Sequence, residues 1–209
     1  MRNCGHYNLI SFESVCIEAQ SDYEKENDKQ RARSLAAQSL CMNKPLYHFF
    51  TTDHRRIEDL LDKATEGTNA IQMDYYHRFR TGLLKHIKME EKILFPAAQK
   101  TNCNTALPLA AKLRLDHGAL TSLMVVPPGG EVVKVLRHVL EKHDLLEEEP
   151  GGMYDVCEKL TEGETRQLLE QLKKVTEVPV QKLNAADYAL GAAKRALERA
   201  GFDFDALVK

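Results

Sequence analysis

The chain has 209 residues, with 29 Lys and Arg against 31 Asp and Glu, which gives a formal net charge of −2. Hydrophobic residues make up 43% and charged residues 29%, a balance typical of a globular protein. The near-neutral charge argues against a nucleic-acid-binding protein, which normally carries a basic stripe. No stretch reaches the roughly 18 apolar residues that a membrane span needs, so we expect neither a nucleic-acid nor a membrane partner.

The cysteines are scattered and odd in number, and none of them forms a CxxC motif. They are Cys4, Cys16, Cys41, Cys103 and Cys157. This pattern indicates reduced thiols rather than a disulfide framework or a zinc site. The first 16 residues lack the continuous apolar run of a signal peptide. A cytoplasmic location is therefore expected.

In chain order, residues 1–42 are predicted to form an N-terminal extension that includes a highly polar segment. From Asn43 and Pro45, which favour a helix start, apolar residues recur at helical spacing. Pro96 predicts the end of a second helix, and Pro-Gly breaks at 127–130 and 150–152 delimit two more. No segment of useful length alternates apolar and polar residues with the period of two that is typical of a β-strand. The fold class is therefore all-α, an antiparallel four-helix bundle.

Each of the four bundle helices carries a histidine on its apolar stripe, and two of the helices add a glutamate one turn later. These residues are His54, His86, Glu90, His117, His143 and Glu147. Residues four apart share one helix face, so His-x-x-x-Glu presents an imidazole and a carboxylate to one point. Burying such groups is costly unless something neutralises them and uses their lone pairs. A pair of metal ions would do both.

The pattern repeats along the chain. His86 and His143 are 57 residues apart, as are Glu90 and Glu147, and the other two helices share the dipeptide Asp-His, as Asp53-His54 and Asp116-His117. A duplicated helical hairpin explains this repetition, and its two halves would face each other across one site.

The segments TTDHRRIEDLL, LLKHIKMEEKILFPA, RLDHGALTSL and LEKHDLLEEE resemble the four helix motifs of the hemerythrin-like (HHE cation-binding) domain family. The resemblance covers residues 43–155 and implies an up-down-up-down bundle that holds a non-haem di-iron centre. Residues 156–209 are then a C-terminal helical extension. By the same resemblance, the six histidines and glutamates named above are the metal ligands.

The third helix departs from the oxygen-carrying members of that family, which place two histidines one turn apart there. The neighbours of His117 at that spacing are Leu113 and Thr121. Simple reversible oxygen carriage is therefore disfavoured. If both glutamates bridge, an oxo or hydroxo group completes five ligands per iron and leaves a position for O₂, peroxide or NO. Manganese fits less well, as does zinc, which prefers four ligands and has no redox chemistry.

For several residues the sequence leaves two roles open. His138 is a surface residue or a replacement for the missing third-helix ligand, and Glu58 is an exposed charge or a ligand. Tyr47 is a boundary aromatic or a hydrogen-bond donor to bound oxygen. The acidic neighbours of the ligands are solvent-facing or orient the ligands from outside. These neighbours are Asp53, Glu91, Asp116 and Glu148.

The predicted function is that of a di-iron protein that binds, senses or reacts with O₂, peroxide, NO or iron. One alternative is a redox enzyme of peroxidase or catalase type. Another is a metal-free helical interaction module, which would have to bury six ionisable groups without compensation. The extension at 156–209 is a candidate surface for a protein partner, or simply a cover for the bundle.

Overall fold

The structure is a computed structural model, and it describes residues 44–67 and 70–209. The predicted extension at 1–42 and three of the five cysteines lie outside the described residues. Within the described part the chain is helical and contains no strand, which confirms the all-α prediction. None of its helices is long and apolar enough to cross a membrane.

Four long helices form the bundle, as predicted, and shorter ones follow. The bundle helices are α1 (Pro45–Thr65), α2 (Met73–Met89), α4 (Ala110–Leu123) and α5 (Gly130–Glu148), and α3 (Phe95–Thr101) continues from α2. The C-terminal helices are α6 (Met153–Leu160), α7 (Thr165–Lys173), α8 (Asp187–Ala200) and α9 (Phe204–Val208). The helical extension predicted for the C-terminal part of the chain is thus present.

The second helix does not end at Pro96, contrary to the sequence-based prediction. Glu90–Leu94 winds as a π-helix, and the Phe95 N–H donates to the Glu90 carbonyl five residues earlier. Pro96 then lies in the first turn of α3, where its missing N–H costs little. Such π-segments occur frequently at functional sites. Here the segment begins at Glu90, one of the predicted metal ligands.

Two apolar clusters occupy successive levels of the bundle, and the histidines lie between them. On α1, for example, Phe50 belongs to one cluster and Ile57 to the other, with His54 between the two. The first cluster includes Ile57, Leu61, Phe79, Leu120 and Leu136, and the second includes Phe50, Leu94, Leu113, Met153 and Leu168. Burial of this apolar surface stabilises the fold and can offset the cost of the polar layer.

The C-terminal segments pack onto the bundle. Helix α8 lies against α4 through small buried side chains, of which Ala193 and Ala196 are examples, and small side chains permit a close approach. It ends at Gly201, whose φ of 88° lies in the left-handed region that glycine adopts without strain. The covering role considered for this region is thus visible for α8.

A tight turn reverses the chain between α5 and α6. Gly151 has a φ of 83°, and Gly152 packs so closely that an added Cβ would lie 2.7 Å from the Leu146 carbonyl oxygen. The carbonyl oxygens of Glu147 and Glu149 would lie 2.8 Å away. The turn brings the first residues of α6 back towards the bundle interior.

We expect Gly152→Ala to lower the free energy of unfolding by about 1–3 kcal/mol, because the methyl group has no space beside rigid backbone. Urea denaturation followed by circular dichroism measures this. The matched control is Gly163→Ala, since no atom lies within 4 Å of the Cβ position there. Equal stability of the two variants would contradict this account of the turn.

Candidate metal centre

The structure brings all six predicted residues together in the middle of the bundle. Each is buried, and Glu90 and Glu147 are both 0% exposed. The side chains form two sets of four, each with donor atoms within 4.8 Å of one another. One set is His54, His86, Glu90 and Glu147, and the other is Glu90, His117, His143 and Glu147. The two glutamates therefore belong to both sets.

The contacts of the two carboxylates explain this sharing. Glu90 places one oxygen, Oε1, 3.2 Å from Nε2 of His86 and the other, Oε2, 3.1 Å from Nε2 of His117. Glu147 Oε2 lies 3.4 Å from Nε2 of His54 and 3.3 Å from Nε2 of His143. Each carboxylate thus contacts one histidine from each set, which is the arrangement that a bridge between two cations requires.

The outer nitrogen of each histidine faces a further carboxylate. The Nδ1-to-oxygen distances are 2.7 Å for His54–Glu148, 3.0 Å for His86–Asp53, 3.0 Å for His117–Glu91 and 3.8 Å for His143–Asp116. The first three are hydrogen bonds, and the last is longer than a hydrogen bond. Such a partner keeps the proton on Nδ1 and turns the Nε2 lone pair inward. The four acidic neighbours therefore lie in the positions of residues that orient ligands.

A tyrosine that the sequence analysis did not single out lies at the centre. The Tyr154 hydroxyl is 2.5 Å from Glu90 Oε1, 2.8 Å from Glu147 Oε2 and 3.0 Å from His54 Nε2. Its ring stacks on Phe50 with a centroid distance of 5.1 Å. Tyr154 is the second residue of α6, the helix that follows the Gly-Gly turn, so it lies on none of the four helical stripes. The only feature of the sequence that could have pointed to Tyr154 is its position two residues after the Gly-Gly break.

The three residues for which the sequence left two roles open, His138, Glu58 and Tyr47, lie outside the two sets of donor residues. His138 packs edge-on against Phe202 at 6.0 Å between ring centroids. Glu58 pairs with Arg55 at 2.6 Å. The Tyr47 hydroxyl donates to the Glu148 carbonyl at 2.8 Å, so this phenol is directed to the backbone instead of the centre.

The electrostatics of the centre are dominated by two buried carboxylates. Burial opposes the charged form of Glu90, but His86 and His117 outweigh it and hold the pKa of Glu90 well below its usual range. Burial, reinforced by the negative charge of Glu90, raises the pKa of Glu147 well above its usual range. The two carboxylates cannot both be charged at low cost without a cation between them.

The four histidines divide in the same way. Burial disfavours the charged form of His86, but Glu90 and Asp53 outweigh it and raise its pKa to about 10. In His117 the carboxylates of Glu90 and Glu91 likewise outweigh burial and raise the pKa to about 9. Burial lowers the pKa of His54 and lowers the pKa of His143 to about 4. The centre therefore mixes charged and neutral groups that a bound cation would reorganise.

Three inward-facing atoms are buried and make no hydrogen bond of acceptable geometry among the described residues, although two of them, Glu90 Oε2 and His117 Nε2, lie 3.1 Å apart. They are Glu90 Oε2, Glu147 Oε1 and His117 Nε2. Buried polar atoms are normally paired, and leaving one unpaired costs free energy. Imidazole nitrogen and carboxylate oxygen together suit iron and related divalent metals. The residues present therefore fit a metal cofactor, because binding would use these atoms.

Comparison with known proteins bears on the same segment. The model of the hemerythrin HHE cation binding domain matches residues 46–199, a range that includes all six residues of the centre. Searches of the curated proteins and of the solved structures give no significant match.

We expect Glu148→Ala to weaken Fe²⁺ binding by about 10–100-fold, because His54 loses the carboxylate that orients its ring. Anaerobic Fe²⁺ titration against a competing chelator measures the change. Glu141→Ala is the matched control, since Glu141 is an exposed carboxylate on the same helix. Equal Fe²⁺ affinity in the two variants would show that Glu148 does not support the centre.

Proposed function

The chain belongs to the hemerythrin HHE cation-binding family, and we propose that it is a non-haem di-iron protein that binds, senses or reacts with O₂, peroxide, NO or iron. The observation that carries this proposal is the sharing of Glu90 and Glu147 by two sets of four buried donors. Two histidines and two carboxylates per metal leave positions open, and iron bound there supplies redox chemistry. Manganese and zinc are less favoured occupants.

The size of the space beside the centre supports a small ligand. A cavity of about 10 Å³ is lined by His54, His86, His143 and Asp144, among others. That volume is about the minimum that holds one water molecule. A space of this size excludes an organic substrate, which supports a ligand of only a few atoms.

The third bundle helix supports a reactive or sensing role over reversible oxygen carriage. Leu113 is fully buried in an apolar cluster, and Thr121 donates its hydroxyl to the His117 carbonyl at 2.7 Å. Neither supplies the additional imidazole of an oxygen carrier, and His138 packs against Phe202 instead. The ligand set that we propose therefore remains four histidines and two glutamates.

A redox enzyme of peroxidase or catalase type is the second candidate, and Tyr154 favours it. Its buried hydroxyl holds a proton within hydrogen-bond distance of Glu90 and Glu147. A positioned proton donor of this kind assists reactions in which oxygen atoms gain protons. The metal-free interaction module is disfavoured, because it would leave the three buried inward-facing atoms without partners.

The proposal also concerns the cellular location of the protein and a protein partner. Among the described residues, the thiols of Cys103 and Cys157 form no disulfide, which supports a cytosolic location. A protein partner that binds through residues 156–209 stays a prediction. The division of the chain at residues 42 and 155 also stays a prediction.

The experiment that tests the di-iron proposal is metal analysis of the wild type and of Glu90→Ala. We expect about two irons per chain in the wild type and at most about one in the variant, because removal of a shared carboxylate takes a ligand from both metals. Glu141→Ala, an exposed change on α5, should retain the wild-type content. Undiminished iron in Glu90→Ala, with an unchanged absorption spectrum, would refute the bridging arrangement.

For the redox candidate, we expect Tyr154→Phe to slow peroxide consumption by the iron-loaded protein by about 100-fold or more, because the positioned proton is lost. Oxygen release and peroxide absorbance measure the rate, at an iron content matched to the wild type. Tyr188→Phe is the control, since Tyr188 is exposed. Absence of peroxide consumption in the wild type would exclude the enzyme and leave the binding or sensing role.

A further inference from the structure

We propose that a cleft beside Arg80 binds a small monocarboxylate with an apolar body. The cleft has a volume of about 310 Å³ and lies between α2, the end of α4 and the extended segment 178–181. That volume is at the lower end of the range of small-molecule pockets. The cleft is separate from the metal centre, and none of the six residues of the centre lines it.

Arg80 is a buried arginine that lacks a carboxylate partner among the described residues. Its side chain is 5% exposed, yet in the part of the chain that the structure describes it forms no ion pair with any carboxylate. One N–H donates to the Gln181 carbonyl at 2.5 Å, and Nε is buried without a hydrogen-bond partner. The nearest aromatic partner is the Tyr76 ring, 6.0 Å from the guanidinium carbon.

A buried cation without a counter-charge is costly, and arginine stays protonated in proteins. A carbonyl acceptor offsets only part of this cost, because it carries no full charge. Arg80 lines the adjoining cleft, so an anion bound there would supply the missing counter-charge. Arginine presents its N–H groups in a fork that matches the two oxygens of a carboxylate.

The rest of the lining determines the kind of anion. Six of the ten lining residues are apolar, including Leu84, Met124, Val125 and Val178. The two hydroxyls that line it, from Thr121 and Ser122, already donate to backbone carbonyls of α4. With one cation and few other donors, the cleft suits a single negative charge joined to a hydrocarbon body. Phosphate, which carries more charge and more acceptor oxygens, would find too few donors.

The test is isothermal titration of the full chain with sodium isovalerate, a branched monocarboxylate. We expect saturable binding in the wild type, and a dissociation constant at least about tenfold higher in Arg80→Gln, since a hydrogen bond to a charged group contributes that much. Arg78→Gln is the matched control, because Arg78 is exposed on the same helix. Isovaleramide, the neutral analogue, should not bind.

A second measurement keeps the proposal testable if Arg80→Gln does not fold. The ¹⁵N–¹H signal of the Arg80 Nε should shift on addition of isovalerate, and Ser122→Phe, which fills the cleft without changing charge, should abolish the shift. No shift in the wild type, equal binding of the amide, or binding of inorganic phosphate in preference to isovalerate would each overturn the proposal. Iron content should be unchanged in both variants, which separates this result from failure of the di-iron proposal.

Discussion

The mutual repulsion of Glu90 and Glu147 in the buried bundle interior is the constraint on which the rest of the structure depends. Both carboxylates are fully buried, and each contacts histidines from both halves of the bundle. Without a cation, the two respond in opposite ways, because the histidines favour the charged form of Glu90 and that charge disfavours the charged form of Glu147. A cation attracted to both would remove this conflict.

The surrounding structure holds these groups in place against their repulsion. Carboxylates outside the centre face the Nδ1 atoms, and some of them are held in turn by arginines: Arg55 pairs with Glu148, and Arg56 with Asp53. The apolar clusters on either side of the layer contribute the burial that offsets its cost. The site therefore has the layered support that keeps metal ligands oriented.

The sequence predicts the parts of the site that depend on local geometry. A histidine and a glutamate four residues apart must share a helix face, so His86 with Glu90 and His143 with Glu147 could be placed before the structure. Their acidic neighbours were also visible, but the cross-helix pairs, such as Asp53 with His86, depend on how the helices pack. Tyr154 could not be placed, since its position depends on the direction in which the Gly-Gly turn sends the chain.

The continuation of the second helix through Pro96 escaped prediction for a related reason. Proline ends a helix of regular i to i−4 hydrogen bonding, but a π-segment changes the register of those bonds ahead of it. The isolation of Arg80 was equally invisible, because a charged residue on a helix normally reaches solvent or a counter-ion. Only the packed extended segment, with the Gln181 carbonyl over the guanidinium, shows that it does neither.

The extended segment between α7 and α8 is hydrogen-bonded to the bundle at several points. Lys88 on α2 donates to the Thr176 carbonyl at 3.2 Å, and the Asn184 N–H donates to the Val125 carbonyl at 2.8 Å. The Arg80 bond to Gln181 is a further tie. The segment is therefore hydrogen-bonded to α2, which carries His86, and to the residue stretch that follows α4, which carries His117. A displacement of either helix would strain these hydrogen bonds, because each joins the segment to a helix that carries a residue of the centre or to the residues just after such a helix.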